Sequence, residues 1–253
     1  MQINGHELAV EVEGAGPAVL MVHGLGGTSN FYQVQADVLV DRFQVIRVDS
    51  AGAGRSALAG DISIETHADD LAALLDALGI ASAAVVAHSM GTLVARSFAA
   101  RYPDKVTKLV LLGAVDEPAE AGRQAQRDRA AVLREKGSAA VAPGVVANAL
   151  SQNTRRDKPE VAAFVRELVM GQNPEGYARN CEALAAATDP GPISPDLPLL
   201  LVTGSEDKVG PQAVSEALAQ DHGSAKVTII EGIGHWTALE DAREVTEQLL
   251  AFL

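Results

Sequence analysis

The sequence predicts an open α/β sheet, mostly parallel, with helices on both faces. Short apolar runs recur along the chain, helical patterns sit between them, and several of the runs are nearly continuous rather than alternating. A strand covered on both faces by crossover helices reads as an unbroken apolar run, whereas a half-exposed strand alternates. Regular strand–helix alternation places helices on the two faces of such a sheet.

The elements follow in chain order. Leu8, Val10 and Val12 alternate with polar residues and predict a half-buried strand. Apolar runs at 18–22, 43–48, 83–87, 109–112, 199–202 and 227–230 predict six more. Leu71, Leu74, Leu75 and Leu78 follow the i, i+3, i+4, i+7 spacing of one helix face. Thr66, with Asp69 three residues on, is the expected N-cap, and Gly79 the expected stop. Val245, Leu249 and Phe252 mark a final helix. Residues 116–195 break the rhythm. They carry no strand-like run, show helical patches such as Val161, Phe164, Val165 and Leu168, and end in a Pro-rich stretch. The expected organisation is a core of residues 1–115 and 196–253 with a helical lid insertion at 116–195.

The 253 residues are 47% hydrophobic, enough for one sizeable core. A formal net charge of -13 argues against nucleic acid and anionic membranes as partners, since phosphate is repelled overall. The only cysteine, Cys181, allows no internal disulfide. No basic stretch followed by an apolar run opens the chain, and no stretch approaches the roughly 20 apolar residues of a membrane span. The expectation is a cytoplasmic protein acting on a small molecule without cofactor or metal.

The residues that carry chemistry begin with Ala87-His88-Ser89-Met90-Gly91, which follows a strand and precedes a helical pattern. A serine between small neighbours at a strand-to-helix turn stands its hydroxyl above the sheet. The hydroxyl needs a base, and His235 follows the last strand in Gly234-His235-Trp236. The other histidines compare poorly. His6 is near the N-terminus, His67 opens a helix, His222 sits in a polar loop, and His88 is expected to point to the other side of the strand end. His23 is expected to brace its own loop. The orienting acid should follow a strand and precede the histidine. Asp207 after the strand at 199–202 is the first choice, with neighbouring Glu206 and with Asp116 as rivals. Oxyanion donors are expected from the backbone N–H of Met90, at a helix N-terminus, and of Leu25 in His23-Gly24-Leu25-Gly26-Gly27. The Gly-rich turn 49–56 lacks the Lys-Ser/Thr of a phosphate loop and reads as structural.

These motifs, His23-Gly24, Asp49…Gly52…Gly54…Ser56, Ser89-Met90-Gly91, Gly204…Asp207…Pro211 and Gly234-His235, fall in the order of the α/β-hydrolase superfamily, which the chain resembles over essentially its whole length. Leu71–Gly79 and Asn173-Pro174-Glu175-Gly176-Tyr177-Ala178-Arg179-Asn180-Cys181 look most like 3-oxoadipate enol-lactonases and related small esterases. The resemblance implies an α/β-hydrolase fold, a Ser89–Asp207–His235 triad and hydrolysis of a small ester or lactone through an acyl-enzyme. Hydrolysis of a C–C bond next to a ketone and a ligand receptor keeping the triad are the alternatives. Thr92 stands where those lactonases usually have a second glycine, and Ala51 and Ala53 where they usually have arginine and histidine. Four arginines of the insertion, Arg155, Arg156, Arg166 and Arg179, are expected to face water. With Ala51 also uncharged, the expected preference is for neutral substrates over the anionic enol-lactone.

Overall fold

A computed structural model describes residues 1–58, 60–223 and 225–253. Strands β1 (Gln2–Ile3) and β2 (His6–Glu7) form a small antiparallel pair. The main sheet has seven strands: β3 (Val10–Glu13), β4 (Ala18–Val22), β5 (Gln44–Val48), β6 (Ala83–His88), β7 (Val106–Leu112), β8 (Leu199–Gly204) and β9 (Lys226–Ile230). Their order is β3-β5-β4-β6-β7-β8-β9. Only the β3–β5 pair is antiparallel. Each run read from the sequence overlaps one of these strands, although Leu8, buried, lies just before β3.

The helices are α1 (Gln33–Leu39), α2 (Ile64–Ala77), α3 (Met90–Arg101), α4 (Glu120–Lys136), α5 (Ala142–Ala149), α6 (Gln152–Asp157), α7 (Pro159–Met170), α8 (Pro174–Ala186), α9 (Gln212–Gln220), α10 (Thr237–Glu240) and α11 (Ala242–Phe252). Alternate residues of each strand point to opposite faces. Val19, Met21, Val86, Val110 and Val202 pack with Ala36 and Leu39 of α1 and Val245 and Leu249 of α11. Leu20, Val22, Val85, Ala87 and Leu111 pack with Leu71 and Leu75 of α2 and Leu93, Val94 and Phe98 of α3. This is why β4, β6 and β8 are nearly continuous apolar runs.

The start of α2 differs from the sequence expectation. Its N-cap is Ser63, not Thr66. The Ser63 hydroxyl accepts from the Thr66 N–H (3.1 Å), and the Thr66 hydroxyl accepts from the Ser63 N–H (2.8 Å). The helix therefore begins a turn earlier, which lets Ile64 enter the core. Gly79, at φ +70°, ends it as expected. Between β7 and β8, residues 116–195 hold α4 to α8 and, among the described residues, no strand. No helix of the described residues is long and apolar enough to cross a membrane.

Candidate active site

Ser89 sits between β6 and α3 at φ 53° and ψ -125°, a left-handed conformation that costs a non-glycine residue about 1–3 kcal/mol. Its surroundings hold it there. The Ser89 N–H donates to the Leu112 carbonyl (3.1 Å). The Ser89 carbonyl accepts from the N–H (2.7 Å) and the hydroxyl (2.6 Å) of Thr92, whose oxygen in turn accepts from the Val115 N–H (3.2 Å). Thr92 thus ties the turn to the end of β7, a bond that a glycine at this position could not make. Small residues are needed nearby because backbones crowd the turn. A Cβ on Gly91 would lie 2.7 Å from the His23 carbonyl oxygen, and one on Gly24 2.6 Å from the Ser89 Cβ.

The loops after β8 and β9 bring two more groups to this point. His235 Nε2 lies 2.7 Å from Ser89 Oγ, and His235 Nδ1 2.8 Å from Asp207 Oδ2. Asp207 Oδ1 accepts from the N–H groups of Val209 and Gly210, both at 2.8 Å. Those two bonds fix the carboxylate, so the Nδ1–H donates to Oδ2 and Nε2 is left to accept the serine proton. The rival acids lie elsewhere. Glu206 is exposed, and Asp116 pairs with Arg96 at 3.2 Å.

The His235 loop is clamped from outside the sheet. Glu240, fully buried, accepts from the N–H groups of Gly234 (2.9 Å) and Trp236 (3.0 Å) on either side of His235, and from Ser151 N–H (2.9 Å) at the start of α6. The His235 N–H donates to the Ala149 carbonyl (2.8 Å). His88 does not point away, as expected from the sequence. Its Nε2 donates to the His235 carbonyl (2.8 Å), its ring lies 4.8 Å from the His235 ring, and Phe31 stacks on it at 4.4 Å. Two residues after Val86 in β6, His88 points to the same face of the sheet, where Phe31 and Trp236 also pack. Burial, with His235 adding to it, pushes the His88 pKa well below the ordinary histidine value. His23 braces its loop: Nδ1 donates to the Gly24 carbonyl (2.8 Å) and Nε2 accepts from the Ser50 N–H (3.0 Å). The 49–56 turn folds around Asp49, which accepts from the N–H groups of Ser29 (2.7 Å) and Arg55 (3.0 Å).

A cavity of about 90 Å³ opens over Ser89 and His235, lined among others by Leu25, Gln126, Arg129, Val145, Tyr177 and Trp236. The Met90 N–H, first in α3, has no intrahelical acceptor, and the Leu25 N–H donates to no described residue. Of the apolar residues of 116–195, Val145, Tyr177 and Leu184 line the cavity, while Phe164 is exposed. Arg155, Arg156 and Arg166 are exposed, and half-buried Arg179 donates to the Gly60 carbonyl. None of these four lines the cavity; Arg129 does. Among the described residues, no group of three His, Cys, Asp or Glu could hold a metal ion.

The family model for the alpha/beta hydrolase fold matches residues 17–242. The chain belongs to this family. Among alpha/beta hydrolases it is 28% identical over 221 residues to 3-oxoadipate enol-lactonase 2 of Acinetobacter baylyi, covering 85% of this chain and 80% of that one. Its fold matches a thermophilic esterase from Thermogutta terrifontis, solved with malate bound, at a TM-score of 0.92 and 29% identity, over 97% and 92% of the two chains. It matches the enol-lactonase from Burkholderia xenovorans LB400 at 0.91 and 28%, over 100% and 98%. Against this alpha/beta hydrolase background, Glu240, His88 and Arg129 are the residues near the site that sequence reasoning passed over. Glu240 lies five residues after His235, in a run with no pattern to mark a buried carboxylate. Arg129 had a readable signal, since Gln126 and Arg129 precede Ala130 and Leu133 at i, i+3, i+4, i+7 on one face of α4.

Proposed function

We propose that the chain hydrolyses a small carboxylic ester or lactone through an acyl-enzyme on Ser89. The observation that supports this most is the continuous hydrogen-bonded chain from Ser89 Oγ through His235 to Asp207, opening on a cavity of about 90 Å³. Ser89 Oγ attacks the carbonyl carbon as its proton passes to His235 Nε2. Asp207 holds the Nδ1–H and stabilises the imidazolium. The negative charge on the carbonyl oxygen is received by the N–H groups of Leu25 and Met90, the latter at the positive end of α3. Collapse of the tetrahedral intermediate breaks the carbonyl–oxygen bond, and His235 returns its proton to the leaving alcohol. Water then attacks the acyl-enzyme with His235 as base, releasing the acid and restoring Ser89. The chemistry draws on no metal or cofactor. Helices α4 to α8 act as a lid that encloses the substrate, with the core formed by residues 1–115 and 196–253. The setting is a cytoplasmic one with a small-molecule substrate.

The names of the relatives, enol-lactonase and esterase, favour this reading over C–C bond hydrolysis. A panel of short-chain esters and lactones tests it. The expected result is turnover of at least one for many cycles per molecule, with a burst of first product equal to the enzyme present. A protein that binds these compounds and releases them unchanged would be a receptor, and the proposal would fall.

A further inference from the structure

The four arginines of α4 divide sharply. Arg123 pairs with Glu117, Arg127 with Glu120, and Arg134 with both Glu175 and Glu182. Arg129 pairs with no carboxylate among the described residues, in a chain with 33 acidic residues. It is half-buried and lines the cavity over Ser89 and His235. Beside it are Tyr177 Oη, buried against the Arg129 guanidinium, and Gln126 Oε1, buried with no hydrogen-bond partner. Tyr177 is 2% exposed, and its hydroxyl stands over the His23–Gly27 loop, where a Cβ on Gly26 would lie 2.8 Å from it. Burial pushes the phenol up to about 12, with the Arg129 charge opposing it, so it stays a donor at neutral pH.

Leaving such groups unmatched is costly. A buried donor or acceptor without a partner loses its hydration with nothing in return, and a half-buried guanidinium without an anion does so more severely. The inward face of α4 continues as Ala130 and Leu133, both buried, so Gln126 and Arg129 are the polar end of an otherwise apolar stripe, placed where that stripe reaches the cavity. A guanidinium presents donors in a fork that fits a carboxylate, a phenol adds one more, and an amide can turn its NH2 toward the same point.

We infer that Arg129, Tyr177 and Gln126 form a subsite for a carboxylate carried by the substrate, so that the ester or lactone cleaved at Ser89 is anionic. This rests on the reading of Ser89 as the nucleophile. It replaces the expectation of neutral substrates, because Arg129 lines the cavity where Arg155, Arg156, Arg166 and Arg179 do not.

The test compares kcat/KM for monomethyl glutarate and for its neutral amide, methyl 5-amino-5-oxopentanoate, and reads their ratio. Wild type should favour the acid by 10-fold or more. In Arg129→Met, which keeps the apolar stem, the ratio should fall to about one, and Arg129→Lys should recover part of the preference. A wild-type ratio near one, or a ratio unchanged in Arg129→Met, overturns the subsite while leaving the hydrolase reading standing. If wild type cleaves neither ester and a fluorophosphonate leaves Ser89 unlabelled, the hydrolase reading fails and takes the subsite with it.

Discussion

Ser89 and His235 share one 2.7 Å contact, yet the two are held by different means. The Ser89 turn is built from its own neighbourhood: the end of β6, the start of α3, a threonine three residues on, and glycines that let backbones close in. The His235 loop is held by groups that reach it from elsewhere: Glu240 in α10, the Ala149 carbonyl ending α5, and His88 at the end of β6. The serine is therefore placed by its own strand–helix turn and the strand ends beside it. The histidine depends on the helices of 116–195 as well, which couples the geometry of the proposed base to the elements that cover the cavity.

Substitutions on the two sides should separate these modes. Ser89→Ala should lower kcat by about 10⁴-fold or more with the fold retained, measured by steady-state kinetics beside circular dichroism. An unchanged rate would remove Ser89 from the chemistry. Asp207→Asn should cost about 10²–10⁴-fold, since the amide cannot hold the same histidine tautomer, while Asp116→Asn should stay near wild type. The reverse ranking would move the acid to Asp116. Glu240→Gln tests the clamp. A carboxylate that accepts from three backbone N–H groups becomes an amide with one acceptor, and an NH2 is set against donors. Unfolding in urea should show a loss of about 2–4 kcal/mol, with kcat reduced at least several-fold. A variant as stable and active as wild type would show that the loop holds itself.

The contrast between the two sides also explains what the sequence made readable. The turn at Ser89, the strand-end position of Asp207 and the order of the three residues follow from local pattern: a strand, small residues, a helix. Thr203 at the end of β8 and Gly210 in the loop that follows it bond to one another beside Asp207. The clamps were not readable because they join residues as far apart as His88 and His235, or Ser151 and Glu240, and no local period marks such pairs. His88 shows the limit most plainly. Its position at the end of β6 is legible, but the carbonyl it donates to arrives 147 residues later. Likewise, Ser63 and Thr66 are both good capping residues, and only the burial of Ile64 selects Ser63 as the cap of α2.

The smallest effect expected is on stability against pH. Burial lowers the pKa values of His23, His67 and His88 from the ordinary 6.5. Their folded values lie below their unfolded values, so the unfolded chain takes up these protons first. The stability present above pH 6.5 is then lost as pH falls from that value toward the folded ones. The slope should reach at most about 1.4 kcal/mol per pH unit for each histidine. Urea midpoints measured from pH 7.5 downward should decline below pH 6.5, and Phe31→Leu, which removes the ring stacked on His88, should not abolish the decline. A flat profile over that range would mean that these rings are not buried neutral.

The central claim is that Ser89, at the sheet-built turn, is the group that becomes acylated. Treating the protein with a fluorophosphonate and mapping the adduct by peptide mass spectrometry tests it most directly. A single adduct should appear on Ser89, form more slowly in Asp207→Asn, and be absent from Ser89→Ala. An adduct on another residue, or none in the folded wild-type protein, would contradict the account.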